Sequence, residues 1–169
     1  MSRLLATWFG VGYLRPAPGT WGSLVGLILG LMIDYYLGFF ILVAAFLGVT
    51  TLGFWACRTA LKGQENQDPS EFVIDEVAGQ WLALLFPAAA FYIRDLQDWA
   101  FVAYPAWVGA FFFFRLFDIW KPWLVGRADQ RHDAAGIMLD DLWAGLFAGF
   151  AVMASAARAS PSCSAQMPT

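Results

Sequence analysis

Five carboxylates stand out by type and placement: Asp75 and Glu76, Asp118, and Asp140 and Asp141, all near the ends of apolar stretches. Arg115 precedes Asp118 by three residues, which puts the two on one face of a helix, and Lys121 follows a turn later. Clustered hard oxygen ligands suit Mg²⁺ or Mn²⁺ rather than Zn²⁺, and the chain has a single histidine, His132, which reads as a surface residue. A guanidinium beside metal-bound carboxylates suits an anion such as a phosphate held between them. Asp140 and Asp141 are adjacent, hence about 100° apart around a helix, so one ligates and the other supports it from outside the first ring of ligands. The competing reading makes these groups structural, with Asp75 and Glu76 paired to Arg115 or Lys121 and Arg115–Asp118 a simple intrahelical ion pair.

The loop Arg15-Pro-Ala-Pro-Gly-Thr20 adds Arg15, Gly19, Thr20 and Ser23 as candidates for phosphate contact, since a helix start presents free backbone N–H groups to an anion. Thr20 could equally serve as a helix cap. Other phosphatase chemistries fail on inventory. Neither Cys57 nor Cys163 is followed by an arginine at the spacing of a cysteine phosphatase, a paired-histidine nucleophile is absent, and there is no Asp-x-Asp motif. Water, rather than a side chain, is therefore the expected attacking group.

The elements that must position these residues are helices in a membrane. Apolar residues make up 60% of the 169 and charged residues 14%, against roughly 45–50% and 25% in ordinary globular domains. Sixteen Phe and nine Trp need a bilayer to hide them from water. The net charge of −3 argues against a nucleic-acid partner, and two cysteines in unlike surroundings make no disulfide framework. Glycines and prolines near the N-terminus break any signal-peptide core. The fold class is all-α, a polytopic membrane bundle forming one domain over residues 1–159, with a disordered tail at 160–169.

Five hydrophobic spans are expected, about Gly22–Leu37, Gly38–Cys57, Asp68–Ile93, Trp99–Trp120 and Gly136–Ala157. The third opens on Asp68-Pro-Ser-Glu71, with the pattern of a capping box, which places Asp75 and Glu76 about two turns inside it. Pro122 should stop the fourth. Leu4, Leu5, Trp8 and Phe9 recur at helical spacing, as a short interfacial helix or as packing on the bundle. Gly22, Gly26, Gly30 and Gly145, Gly149 allow close helix contact, within the chain or between copies, so monomer and homo-oligomer both stay open.

With the N-terminus inside, Arg3, Arg15, Arg58, Lys62, Arg115, Lys121, Arg127 and Arg131 fall on the cytoplasmic side, against only Arg94 and Arg158 outside. The five acids then approach that same face, while Asp34, Asp95 and Asp98 lie opposite and read as loop acids. An ionised group deep in the bilayer costs about 2.5–3.5 kcal/mol, so several together argue for inward placement and a neutralising cation.

Four runs in order, Pro18-Gly-Thr-Trp-Gly-Ser-Leu24, Val73-Ile-Asp-Glu-Val-Ala-Gly-Gln-Trp81, Phe114-Arg-Leu-Phe-Asp-Ile-Trp-Lys-Pro122 and Gly136-Ile-Met-Leu-Asp-Asp-Leu-Trp-Ala-Gly145, resemble the phosphatidylglycerophosphatase A family. The resemblance implies a Mg²⁺-dependent phosphatase of the bacterial inner membrane that acts on a phospholipid substrate, phosphatidylglycerophosphate. It implies functional roles for Asp75, Glu76, Arg115, Asp118, Lys121, Asp140 and Asp141, with Asp75, Glu76, Asp118 and Asp141 on the metal. One departure is the segment His132-Asp-Ala-Ala-Gly136, one residue shorter than the family's paired-glycine run. A metal-dependent head-group transferase is the rival enzyme, but its Asp-Gly…Ala-Arg series is absent. An ion-path protein is the rival of another class, but no acid continues from Asp75 toward the far side.

Overall fold

A computed structural model describes residues 1–62, 70–95, 104–130 and 133–159, and among these every regular element is helical. The helices are α1 (Ser2–Ala6), a 3₁₀ turn (Val11–Tyr13), α2 (Pro18–Leu37), α3 (Phe39–Ala60), α4 (Ile74–Ile93), α5 (Tyr104–Trp120), α6 (Leu124–Asp129) and α7 (Ala134–Ala159). Four of them, α2, α3, α4 and α7, are long and apolar enough to cross a membrane by length and composition. The fourth expected span, about Trp99–Trp120, appears as the 17-residue α5, packed along α7, its first residues lying outside the described ones.

Glycine contacts show the direction of the five longer helices. Gly22, Gly26 and Gly30 of α2 meet Val73, Val77 and then Trp81 and Leu84, so α2 and α4 run the same way. Gly79 meets Asp141 and Phe114, and Gly149 meets Phe86, so α7 also runs with α4. Gly53 of α3 reaches Ile74 and Met138, while Gly109 of α5 reaches Val152, so these two helices run back. The starts of α2, α4 and α7 and the ends of α3 and α5 therefore share one end of the bundle. The small-residue spacings serve packing within the chain: a Cβ at Gly145 would lie 2.3 Å from the Gly79 carbonyl oxygen. The indole of Trp81 donates to the Gly26 carbonyl at 2.6 Å, which that close approach permits.

Several local expectations change. The helix α2 begins at Pro18 rather than at Gly22, with Ala17 as its N-cap, so Thr20 is a residue of the first turn and not the cap. Asp34 is a buried residue of α2, not a loop acid, because the helix runs on to Leu37. Gly38, at φ +89°, ends α2 and starts α3 in one residue, a backbone that favours glycine.

The start of α4 differs most. Asp68 and Pro69 lie outside the described residues, and Ser70 and Glu71 form a turn. The Val73 N–H donates to the Ala6 carbonyl at 2.9 Å, Phe72 and Val73 are buried, and Gly12 abuts the Glu71 carbonyl. Pinned to the N-terminal segment in this way, the chain turns helical only at Ile74. Asp75 and Glu76 thus stand in the first turn of α4, not two turns inside it.

That N-terminal segment packs on the bundle: Ala6 and Thr7 are buried and Trp8 meets Trp81 edge-on at 6.2 Å, although Leu4 and Phe9 remain exposed. Pro122 stops α5 as anticipated. The helix α6 was not anticipated; its signal is the apolar pair Val125 and Ala128, both buried. His132 and the tail 160–169 lie outside the described residues.

Candidate active site

The shared end of the bundle collects acids from three helices. Asp75 and Glu76 come from the start of α4, Asp118 from the last turn of α5, and Asp140 and Asp141 from the second turn of α7. Asp75, Asp140 and Asp141 are all buried. Two acid pairs share one local device: Asp75 Oδ1 accepts from the Glu76 N–H, and Asp140 Oδ1 from the Asp141 N–H, each at 3.0 Å. Each bond fixes one oxygen of the first acid against the local backbone.

Asp75, Glu76 and Asp141 each offer a carboxylate oxygen within 4.8 Å of the other two. Three carboxylates gathered so closely out of water repel one another and lose hydration together. The donor set is all oxygen, which fits a hard divalent cation, and Glu76 Oε2 is buried with no hydrogen-bond partner among the described residues. That unspent acceptor is what a ligand position requires.

The remaining acids are tied to cations. Arg115 Nη1 is ion-paired to Asp118 Oδ2, as the three-residue spacing implied. Asp118 also lies near Asp141. Lys121, just past the end of α5, reaches Asp140 Oδ2 at 3.3 Å. The structure therefore separates the adjacent acids: Asp141 joins Asp75 and Glu76, while Asp140 faces a lysine.

The start of α2 closes the site. A Cβ at Gly19 would lie 2.4 Å from Glu76 Oε1 and 3.2 Å from Arg115 Nη1, so this turn touches both a carboxylate and the guanidinium. Ser23 Oγ donates to the Gly19 carbonyl at 2.7 Å and lies 3.5 Å from Arg115 Nη1. Thr20 is half-buried beside them. Two helix starts, α2 and α4, thus aim their N-terminal dipoles at one place, which favours an anion there. Arg15 lies elsewhere, in a cavity of about 580 Å³ lined also by Gly12, Tyr13, Pro16, Pro18, Ser70 and Glu71. That cavity adjoins the site along the chain through Pro18 and Gly19.

One residue here escaped the sequence reading. Gln80, fully buried one turn beyond Glu76, has no hydrogen-bond partner for either amide atom among the described residues. Its spacing of four from Glu76 was the available signal.

The family model described as phosphatidylglycerophosphatase A matches residues 4–156. A phosphatidylglycerophosphatase A of Haemophilus influenzae is 36% identical over 152 residues, covering 89% of this chain and 86% of that protein. Another, from Escherichia coli, is 31% identical over 144 residues, covering 85% and 76%. A Bacteroides thetaiotaomicron protein provisionally named a phosphatidylinositol-3-phosphatase is 33% identical over 148 residues, covering 85% and 86%. No solved structure matches the chain.

Proposed function

Because the chain belongs to the phosphatidylglycerophosphatase A family and is a phosphatase, a hydrolase of phosphoric monoesters, we propose that it converts phosphatidylglycerophosphate to phosphatidylglycerol and phosphate. The reaction is Mg²⁺-dependent and takes place at the cytoplasmic face of a bacterial inner membrane. The observation that carries this reading is the meeting of Asp75, Glu76 and Asp141 with Arg115 and the start of α2 at one end of the bundle. The eight-to-two distribution of basic residues supports the orientation.

Asp75, Glu76 and Asp141 would hold the cation, with Asp118 beside Asp141. A divalent cation such as Mg²⁺ held by these carboxylates would lower the pKa of water and draw charge from the phosphoryl oxygens. Arg115 and Lys121 bind the remaining phosphoryl oxygens and stabilise charge as it develops on them. The first turn of α2, through Gly19 and Thr20, presents backbone N–H groups to the same anion, and Ser23 steadies Arg115. Water attacks phosphorus, one carboxylate takes its proton, the P–O bond to the glycerol breaks, and the leaving oxygen is protonated to give the free head-group hydroxyl. The cavity holding Arg15 suits the rest of the head group, with the guanidinium against the diester phosphate.

The test is phosphate release by purified protein from phosphatidylglycerophosphate, phosphatidic acid and phosphatidylinositol 3-phosphate, with Mg²⁺ and with EDTA. The expected result is turnover of the first lipid above the others, abolished by EDTA. Preferred turnover of the inositol lipid would transfer the assignment to the activity named for the Bacteroides relative, and full activity in EDTA would remove the metal.

A further inference from the structure

Gln80 is 0% exposed, and both Oε1 and Nε2 lack a hydrogen-bond partner among the described residues. A buried amide left in that state destabilises a fold, so one that persists calls for a partner that a water, a ligand or a reacting group can supply. The surroundings of Gln80 say which. Six buried side-chain atoms among the described residues lack partners, and four of them belong to Glu76, Gln80 and Arg115. Glu76 and Gln80 are four residues apart on α4 and share a face. On one side of that face Val77 and Trp81 pack on Gly26 and Gly30 of α2, and on the other Gly79 packs on Asp141 and Phe114. Gln80 therefore stands in the same wedge as Glu76, one turn deeper. Side chains on a helix lean toward its N-terminus, which brings the amide back over the Glu76 turn.

We propose that Gln80 is a further catalytic residue that orients the attacking water. This rests on the water-attack reading given above. Water that donates one hydrogen to Gln80 Oε1 and the other to a carboxylate of the site has its lone pair directed away from both, toward phosphorus. That carboxylate takes the proton as the new P–O bond forms and the bond to the glycerol oxygen breaks, while Gln80 gains and loses no proton. The Nε2 group is left to donate to a phosphoryl oxygen.

The test uses full-length protein in detergent or nanodiscs, with phosphatidylglycerophosphate and Mg²⁺. Gln80→Met keeps the length and removes both hydrogen-bonding atoms; Gln80→Leu is the second variant. The expected result is a fall in kcat of about 10²-fold, with KM and half-saturating Mg²⁺ within about threefold of wild type. Thermal unfolding should stay at the wild-type temperature or rise, because an unsatisfied amide has been replaced by an apolar group. A kcat within about threefold of wild type overturns the proposal, as does a KM or Mg²⁺ effect larger than the kcat effect. A lowered unfolding temperature in both variants overturns it too, since the amide would then be structural. Wild-type protein inactive on this lipid would instead defeat the functional reading itself, which separates the two failures.

Discussion

Helices α3 and α4 have similar lengths and opposite tasks. The α3 span has mean hydropathy 2.1 and buries 22% of its residues, whereas the α4 span has 1.3 and buries 50%. Phe40, Ile41, Leu47, Leu52 and Trp55 of α3 are exposed on the bundle surface, where lipid would meet them. On α4, the buried set includes Asp75, Gln80 and the close-contact Gly79, with α2, α3, α5 and α7 around it. The helix that looks least suited to a bilayer is the one shielded from it. Surrounding helices remove the cost of lipid contact from its polar groups, and the price appears instead as polar atoms awaiting a partner.

Changes at the charged end of α4 should have the largest effects. Asp75→Asn, Glu76→Gln and Asp141→Asn should each lower kcat by about 10³-fold while the protein stays folded, since removing one of three crowded acids relieves repulsion. Thr51→Ala on the exposed face of α3, where the hydroxyl only donates to Leu47 and Gly48 carbonyls, should leave kcat unchanged. Asp140→Asn should be milder than Asp141→Asn, because Asp140 faces Lys121 rather than the acid trio. Equal mild effects in the pair would make both structural. Asp118→Asn should also abolish turnover; retention of activity within about tenfold would confine Asp118 to holding Arg115.

Glycine substitutions come next. A Cβ at Gly79 would lie 2.5 Å from the Asp141 carbonyl oxygen, whereas one at Gly48 of α3 meets nothing within 4 Å. Gly79→Ala should cost about 1–3 kcal/mol in unfolding measurements and reduce activity by displacing Asp141. Gly48→Ala should be neutral or stabilise by about 0.5–1 kcal/mol. If the two behave alike, the contrast in packing is wrong.

Smaller effects belong to the rim. Lys121 is about one-third exposed, so Lys121→Ala should lower kcat/KM by about tenfold, chiefly through KM, while Arg58→Ala at the end of α3 should change little. The mildest perturbation tests orientation. In a Cys-free background, Gln130→Cys should be shielded from membrane-impermeant thiol reagents in intact spheroplasts and Asp95→Cys should react. Outside labelling at position 130 would turn the acid end away from the cytoplasm.

Hydropathy and the helical period are local properties, so the all-α membrane bundle, the stop at Pro122, the Arg115–Asp118 pair and the approach of five acids to one end could all be read along the chain. Rotation and register of one helix against another are not local. They follow from contacts such as Gly22 on Val73 and Gly145 on Gly79, between residues far apart in sequence. Those contacts decide that Asp141 and not Asp140 joins Asp75 and Glu76, and that Gly19 touches Glu76. They also bury Gln80. The start of α4 was misread for the same reason: a local capping pattern pointed to Asp68, but the bond from Val73 to Ala6 across the fold holds the chain out of a helix until Ile74.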